Sequence, residues 1–267
     1  MNIQTIPFKT TTVCFESQGK GKPVVLLHGY LESLEIWNSF ASELAKKFQV
    51  ITIDLLGHGK SGTINGEASV ELMAESVSEV LGYLKITKSV IIGHSMGGYA
   101  MLAFAEMFPE QILGIGLFHS VTWADLPEKR EARDREIELV HQGKKELIIN
   151  NNVPKSFADE NLERFKKYVE WAKKIGITNS DAGIIASLNA MKARKDRTNI
   201  IEKIDAPVLF VVGKKDNYIP VERLMQLTLL PKKKSVVILE NSGHMGFIEE
   251  KEFALDEVEN FLDLCFL

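Results

Sequence analysis

The chain has 267 residues, of which 45% are hydrophobic and 25% are charged, as in ordinary soluble globular proteins. It has 32 Lys and Arg residues against 36 Asp and Glu residues, a formal net charge of −4, which excludes an overall basic nucleic-acid-binding protein. Two cysteines, Cys14 and Cys265, are too few for a four-cysteine zinc site or a disulfide scaffold.

The N-terminal residues MNIQTIPFKTTTV lack a basic start followed by an apolar segment, so no signal peptide is predicted. No apolar run approaches the roughly 18 residues of a membrane-spanning helix. With two thiols and no export signal, we expect a reduced, cytoplasmic protein with no nucleic-acid or membrane partner, either a monomer or a homodimer.

Short apolar runs alternate with longer helical patterns, which is typical of a mostly parallel sheet with helices on both faces. The β-branched residues of Thr10–Phe15 predict an edge strand or a hairpin arm. In chain order, the further predicted strands are Val24–Leu27, Val50–Ile53, Val90–Ile92, Ile115–Phe118, Val208–Val212 and Val236–Leu239. The predicted helices are Leu34–Lys47, Val70–Leu84, Met96–Phe108, Val221–Leu229 and Phe253–Leu264.

One long segment interrupts this alternation. Between Thr122 and Arg197 no strand is predicted, and charged helical patterns such as Glu128–His141 and Asp159–Lys174 take their place. A structureless loop of this length is uncommon in a compact domain. We therefore interpret residues 122–197 as a helical lid inserted before the last two strands, and residues 1–121 and 198–267 as the α/β core.

The strongest chemical motif is Gly93-His94-Ser95-Met96-Gly97-Gly98, which contains Gly-x-Ser-x-Gly. It directly follows a predicted strand and opens a predicted helix, the setting in which a sharp turn exposes a serine hydroxyl above the sheet. The helix N-terminus stabilises negative charge that develops there. Ser95 is thus the candidate nucleophile.

A nucleophilic serine needs a base, and the base needs an orienting group. Asp216 and His244 follow two later predicted strands, so both lie at the carboxyl edge where such sheets hold their sites. The chain order of serine, acid and histidine is that of the α/β-hydrolase triad. We predict that Ser95, Asp216 and His244 form the catalytic triad.

A tetrahedral intermediate also needs backbone N–H donors aimed at its oxyanion. The residue after the nucleophile, Met96, and the loop residue Tyr30 are the candidate donors. His28, beside that loop, has no second histidine at metal-binding spacing, so we interpret it as a buried structural residue. No metal site and no organic cofactor are predicted.

Gly57-His58-Gly59-Lys60-Ser61-Gly62 fits the dinucleotide-binding pattern Gly-x-Gly-x-x-Gly. The next predicted helix begins only near Ser69, so no helix N-terminus can receive a pyrophosphate there. We do not interpret this segment as a cofactor site.

In family order, the segments LLHGYLES, DLLGHGKSG, VIIGHSMGGYA, PVLFVVGKKDNYIP and NSGHMGF resemble the α/β-hydrolase superfamily. The resemblance covers nearly the whole chain and is greatest for compact members with a helical lid. Carboxylesterases, the biotin-pathway methyl esterase, enol-lactonases and a menaquinone-pathway lyase are among them. This resemblance implies an α/β-hydrolase fold and a serine triad. Relatives that act on epoxides and alkyl halides use an aspartate nucleophile, so the serine argues against both chemistries.

The expected function is hydrolysis of a small ester or thioester. Elimination by the same triad and a slow-turnover ligand receptor are the alternatives. His119 departs from typical members, and it lies either in the substrate pocket or in a packed polar pair. The aromatic candidates for an apolar pocket are Trp37, Trp123, Phe157, Trp171 and Phe247, together with Tyr30.

Overall fold

A single sheet of eight strands forms the centre of the computed structural model, which describes residues 3–64 and 69–267. The spatial order of the strands is β1-β2-β4-β3-β5-β6-β7-β8. Strands β1 and β2 form an antiparallel hairpin, β2 pairs antiparallel with β4, and every other pairing is parallel. The strands are β1 Ile3–Phe8, β2 Thr11–Gln18, β3 Pro23–Leu27, β4 Gln49–Ile53, β5 Ser89–His94, β6 Ile112–Phe118, β7 Val208–Gly213 and β8 Lys234–Leu239.

Helices flank this sheet, and the fold is the predicted α/β-hydrolase fold. Helix α2 packs on α3, while α1 packs on α11. The helices are α1 Asn38–Leu44, α2 Val70–Tyr83, α3 Met96–Met107, α4 Pro127–His141, α5 Lys145–Lys155, α6 Lys166–Thr178, α7 Asp181–Ala193, α8 Thr198–Lys203, α9 Val221–Leu227, α10 Gly246–Glu249 and α11 Lys251–Cys265. Within the described ranges, no helix is both long and apolar enough to cross a membrane.

The central strands are apolar on both sides because helices cover both faces of a parallel sheet. Every residue of β5 and β7 is buried. This burial fixes the carboxyl ends of these strands, and the loops that follow them carry the candidate catalytic residues.

Helices α4 to α7 lie between β6 and β7, in the segment interpreted as a lid. The two ends of that segment meet: Arg197 N–H donates to the carbonyl of Thr122 at 2.9 Å. The Arg197 side chain is 2% exposed and bonds Glu71 and Glu106, on α2 and α3 respectively. The first and last residues of the segment, Thr122 and Arg197, are thus neighbours in the structure. The division at residues 122 and 197 stays a prediction.

Candidate active site

Ser95 occupies the sharp turn between β5 and α3. Its φ of 48° and ψ of −112° lie outside the regions that ordinary L-residues favour, and such strain is concentrated at functional sites. Two hydrogen bonds fix the turn: Ser95 N–H donates to the carbonyl of Phe118 at 3.0 Å, and the Ser120 hydroxyl donates to the carbonyl of Ser95 at 2.7 Å. The turn is therefore anchored to the end of β6.

Gly97 allows this turn to approach the neighbouring strand. A Cβ atom on Gly97 would lie 2.4 Å from the carbonyl oxygen of Leu27 and 2.7 Å from that of His28. A side chain at this position would therefore push the start of α3 away from the end of β3. Glycine brings the nucleophile loop against the loop that contains Tyr30.

Asp216 and His244 meet above the carboxyl ends of β7 and β8. Nδ1 of His244 lies 2.7 Å from Oδ2 of Asp216, and Oδ1 of Asp216 accepts N–H groups from Tyr218 at 2.7 Å and Ile219 at 3.1 Å. Burial alone would raise the pKa of Asp216, but the adjacent His244 holds that pKa below its ordinary value. The ionised carboxylate accepts a hydrogen bond from the Nδ1–H group, which leaves Nε2 of His244 free to act as a base.

The lid segment is tied to the loop of the candidate base. The backbone N–H of His244 donates to the carbonyl of Ser156, at the end of α5, at 2.7 Å. The Tyr218 hydroxyl donates to the carbonyl of Asn152 at 2.8 Å, and its ring centroid lies 5.2 Å from that of His244. Movement of α5 would therefore displace the imidazole.

Ser95 and His244 both line a cavity of about 360 Å³. The lid segment supplies much of its wall, from the residues before α4, from α4 itself, and from α5 to α7. The apolar and aromatic residues of the wall are Tyr30, Leu31, Tyr99, Val121, Trp123, Ala124, Leu126, Val153, Ala172, Met191, Tyr218, Ile219, Pro220 and Met245. The charged ones are Glu32, Asp125, Lys129, Arg133, Glu136, Arg194 and Arg223.

Of the pocket residues expected from sequence, Trp123 and Tyr30 line this cavity. Trp37, Phe157, Trp171 and Phe247 do not line it. Trp37 and Phe247 pack against each other in the core, with ring centroids 4.4 Å apart, and Phe157 packs near Phe165 at 6.5 Å. Core packing removes the apolar rings of Trp37, Phe157 and Phe247 from water as well as a pocket would. Trp171 is half-buried and packs edge-on against Tyr168, with ring centroids 6.3 Å apart.

His119 also lies outside the cavity wall, and its surroundings match the packed polar alternative. It is fully buried with a φ of 45°, and backbone N–H groups of Gly213 and Gly246 lie 3.1 Å from its two ring nitrogens. Its Nδ1 is 3.8 Å from Oδ2 of Asp216. Burial holds the pKa of His119 well below its ordinary value, so the ring is neutral. His119 thus joins the ends of β6 and β7 to α10.

Beneath the site lies a buried pair formed by Glu32 and His94, which was not predicted from the sequence. Nδ1 of His94 lies 3.0 Å from Oε2 of Glu32, and Nε2 of His94 donates to the carbonyl of His244 at 2.9 Å. Burial would lower the pKa of His94, but the Glu32 carboxylate raises it above the ordinary value overall. Both ring nitrogens face oxygen acceptors, which fits an imidazolium. The only feature of the sequence that pointed to this pair was the presence of His94 within the Gly-x-Ser-x-Gly motif.

The candidate oxyanion donors, Tyr30 and Met96, lie on the two segments that approach each other at Gly97. Tyr30 lies in the loop after β3 and lines the cavity, and Met96 is the first residue of α3. The Gly29 N–H before Tyr30 donates to Oε2 of Glu32 at 2.5 Å. Glu32 therefore fixes both this loop and the His94 ring. The use of these two amides for an oxyanion stays a prediction.

The two other motif histidines are structural. His28 Nε2 accepts the Leu55 N–H at 3.0 Å, and His58 Nε2 accepts the Leu31 N–H at 3.2 Å. In the glycine-rich segment, the carboxylate of Asp54 accepts the backbone N–H of Lys60 at 2.8 Å. Among residues 3–64 and 69–267, no group of three His, Cys, Asp or Glu side chains is placed to hold a metal ion.

A family model described as alpha/beta hydrolase fold matches residues 22–251. The chain therefore belongs to the α/β-hydrolase family.

Similar proteins include several esterases. A thermophilic esterase from Thermogutta terrifontis, solved with malate bound, is 26% identical, with a TM-score of 0.94 and 99% of each chain covered. The enol-lactonase of Burkholderia xenovorans is 21% identical with a TM-score of 0.90, covers 97% of this chain and 100% of its own, and shows the shared fold. The pimeloyl-[acyl-carrier protein] methyl ester esterase of Aliivibrio fischeri is 24% identical over 95% of this chain and 98% of its own. Family and neighbours together support hydrolase activity.

Proposed function

We propose that the protein hydrolyses a small ester or thioester through an acyl-enzyme formed on Ser95. The observation that carries this proposal is the 2.7 Å contact between His244 Nδ1 and Asp216 Oδ2, beside a cavity that Ser95 and His244 both line. A serine hydroxyl becomes a good nucleophile only when an oriented base removes its proton. The site contains the residue types that this chemistry requires.

In the acylation step, Oγ of Ser95 attacks the carbonyl carbon while Nε2 of His244 takes the hydroxyl proton. The N–H groups of Tyr30 and Met96 bind the oxyanion, and each such donor contributes about 10²–10³ in rate. His244 then gives its proton to the departing alcohol or thiol. The acyl group remains on Ser95.

In the deacylation step, His244 removes a proton from water, which attacks the acyl carbonyl. Collapse of the second intermediate releases the carboxylic acid and returns the proton to Oγ of Ser95. Asp216 stays ionised and stabilises the imidazolium in both steps. The triad and two amides thus complete the cycle.

The segment from residue 122 to residue 197 sets substrate specificity in this proposal. It contributes Trp123 and several charged residues to the cavity wall but none of the triad. A helical cover of this kind shields the acyl group from water and selects it by shape.

The test is a panel of p-nitrophenyl esters of graded acyl length, with the products formed in ¹⁸O-labelled water. We expect a burst of p-nitrophenol equal to the enzyme concentration, one ¹⁸O atom in the released acid, and no turnover by Ser95→Ala. If a phosphonate labels Ser95 but no ester of the panel is hydrolysed, the proposed esterase function is contradicted. It would favour the same triad acting by elimination, or a ligand receptor.

A further inference from the structure

The wall of the catalytic cavity contains more positive than negative charge. Four cationic side chains line it: Lys129, Arg133, Arg194 and Arg223. Three carboxylates line it, and one of these, Glu32, is already paired with His94. Asp125 and Glu136 remain to balance four cations, so positive charge predominates around the space for substrate.

Asp125 is fully used by protein groups. It pairs with Arg133 through both oxygens and with Arg194 at 2.7 Å between Nη1 and Oδ1. One buried carboxylate is thus shared by two buried guanidinium groups. In the described part of the chain, the buried Nε of Arg194 has no hydrogen-bond acceptor.

Glu136 is also engaged. Its Oε1 accepts from the Asn152 amide at 2.8 Å, and its Oε2 lies 3.4 Å from the Tyr30 hydroxyl. Each carboxylate of the wall is therefore already bonded to another protein group, and Asp125 and Glu136 act on Lys129 without a direct contact among the described residues.

Lys129 and Arg223 have aromatic neighbours in place of carboxylates. The Lys129 ammonium lies 5.6 Å from the centroid of the Tyr218 ring, which in turn is 5.2 Å from the ring of His244. The Arg223 guanidinium lies 4.0 Å from the centroid of Trp123. Across residues 3–64 and 69–267, neither cation has a carboxylate oxygen within 4.0 Å. Partial burial, and after it the charge of Arg133, lower the pKa of Lys129, while Asp125 and Glu136 act in the opposite direction. Both Lys129 and Arg223 keep an exposed surface.

We propose that the substrate carries a carboxylate in addition to its scissile ester, and that Lys129 and Arg223 bind that carboxylate. This inference rests on the proposed function. A free carboxylate supplies the direct ion-pair partner that Lys129 and Arg223 do not have among the described residues, and its charge-assisted contacts orient the ester towards Ser95. A single aromatic ring separates Lys129 from His244, so the two functional groups of the substrate are a few carbon atoms apart.

The experiment compares p-nitrophenyl hemisuccinate with p-nitrophenyl butyrate, which have acyl chains of equal length and differ by one terminal carboxylate. The variants are Lys129→Gln, Arg223→Gln and the double variant. Lys166→Gln, on the exposed outer surface of α6 beside Glu163, is the control because it removes a lid charge outside the cavity.

We expect wild type to favour the hemisuccinate in kcat/KM. The double variant should lose about tenfold on that ester and less than twofold on the butyrate, because opposite charges at partly exposed sites attract each other only modestly. The control should change neither value. The preference should shrink as salt is raised from 0.05 to 1 M, since salt screens exposed charges. Equal loss on both esters, or no loss on either, would overturn the carboxylate site and leave the esterase proposal intact.

Direct binding separates this inference from the catalytic proposal. Succinate and its neutral diamide are titrated calorimetrically into wild type, the double variant and Ser95→Ala. We expect succinate to bind wild type and Ser95→Ala alike, at least fivefold more tightly than it binds the double variant, and the diamide to show no such difference. If neither ester is hydrolysed, this titration still decides the matter. Absent or unchanged succinate binding would refute the site.

Discussion

Replacing Glu32 by Gln tests whether the buried pair beneath the nucleophile holds the site together. Glu32 is 8% exposed and His94 is 1% exposed, and the carboxylate also accepts the Gly29 N–H. Removing one partner of a buried ion pair typically costs 3–5 kcal/mol, because the other charge is left uncompensated. We take the lower end, about 3 kcal/mol, since His94 can lose its proton in the variant. With an m value of about 3 kcal/mol per M, the urea midpoint falls by about 1 M.

The pH dependence of this loss has a definite sign. The Glu32 carboxylate raises the pKa of His94 above 6.5, so the stabilisation from the protonated ring is complete below pH 6.5 and is lost as pH rises through the raised value. Despite burial, His94 lowers the pKa of Glu32 below 4.5. The stabilisation from the ionised Glu32 carboxylate is therefore present above pH 4.5 and is lost as the pH falls through the lowered pKa. The loss of stability in Glu32→Gln should therefore be greatest between about pH 5 and pH 6.5 and smaller at pH 9.

Urea unfolding of wild type, Glu32→Gln and Glu35→Gln at pH 6 and pH 9 measures both effects. Glu35 is the control because it lies three positions further along the chain, in the short 3-10 helix Leu34–Trp37, half-buried and outside the cavity wall. A Glu32→Gln protein within 0.5 kcal/mol of wild type at pH 6, the usual range for a surface change, would refute the reasoning. Equal destabilisation at the two pH values would also refute it.

Four further substitutions have defined outcomes. Asp216→Asn should lower kcat about 10⁴-fold with little change in far-UV circular dichroism, because the imidazole loses its orienting carboxylate. Trp123→Ala should change the ranking of acyl chains in kcat/KM by about 1–3 kcal/mol while phosphonate labelling of Ser95 persists; an unchanged ranking would contradict a role of Trp123 in the pocket. Gly97→Ala should cost about 3 kcal/mol of stability, because its Cβ would meet Leu27 at 2.4 Å. Gly82→Ala, whose Cβ would have open space within α2, should stabilise by about 0.5–1 kcal/mol in the same melts.

The predicted central strands, β3 to β7, are continuous apolar runs because helices bury both of their faces. The predicted strand β8 is an edge strand on which Val236 and Ile238 stay exposed. The first strand of the hairpin was missed. Ile3–Phe8 is an edge strand with mixed burial that contains a proline, and the turn to β2 passes through Lys9 at a φ of 48°. Neither Lys9 nor Thr10 has the glycine or asparagine signal by which tight hairpin turns are recognised.

The same contrast holds within the site. The positions of Ser95, Asp216 and His244 at one edge of the sheet could be predicted because each follows a strand whose end is fixed by burial, and their catalytic roles stay a prediction. The predicted pocket aromatics that lie outside the cavity wall had no such constraint, and whether Trp37 faces a cavity or the core depends on packing between distant segments. Glu32 and His94 are 62 positions apart in the sequence, and local sequence patterns do not predict a contact over that separation.

Active-site labelling of the whole protein tests the central claim, that Ser95 is the nucleophile of a hydrolytic triad, most directly. A small fluorophosphonate is added to wild type and to Ser95→Ala, and the adduct is located by peptide mass spectrometry alongside the rate of ester hydrolysis. We predict one adduct, on the peptide that contains Ser95, and a loss of kcat on the order of 10⁶ in the variant. An adduct on another residue, or a folded Ser95→Ala protein that keeps a tenth of wild-type activity, would contradict the account.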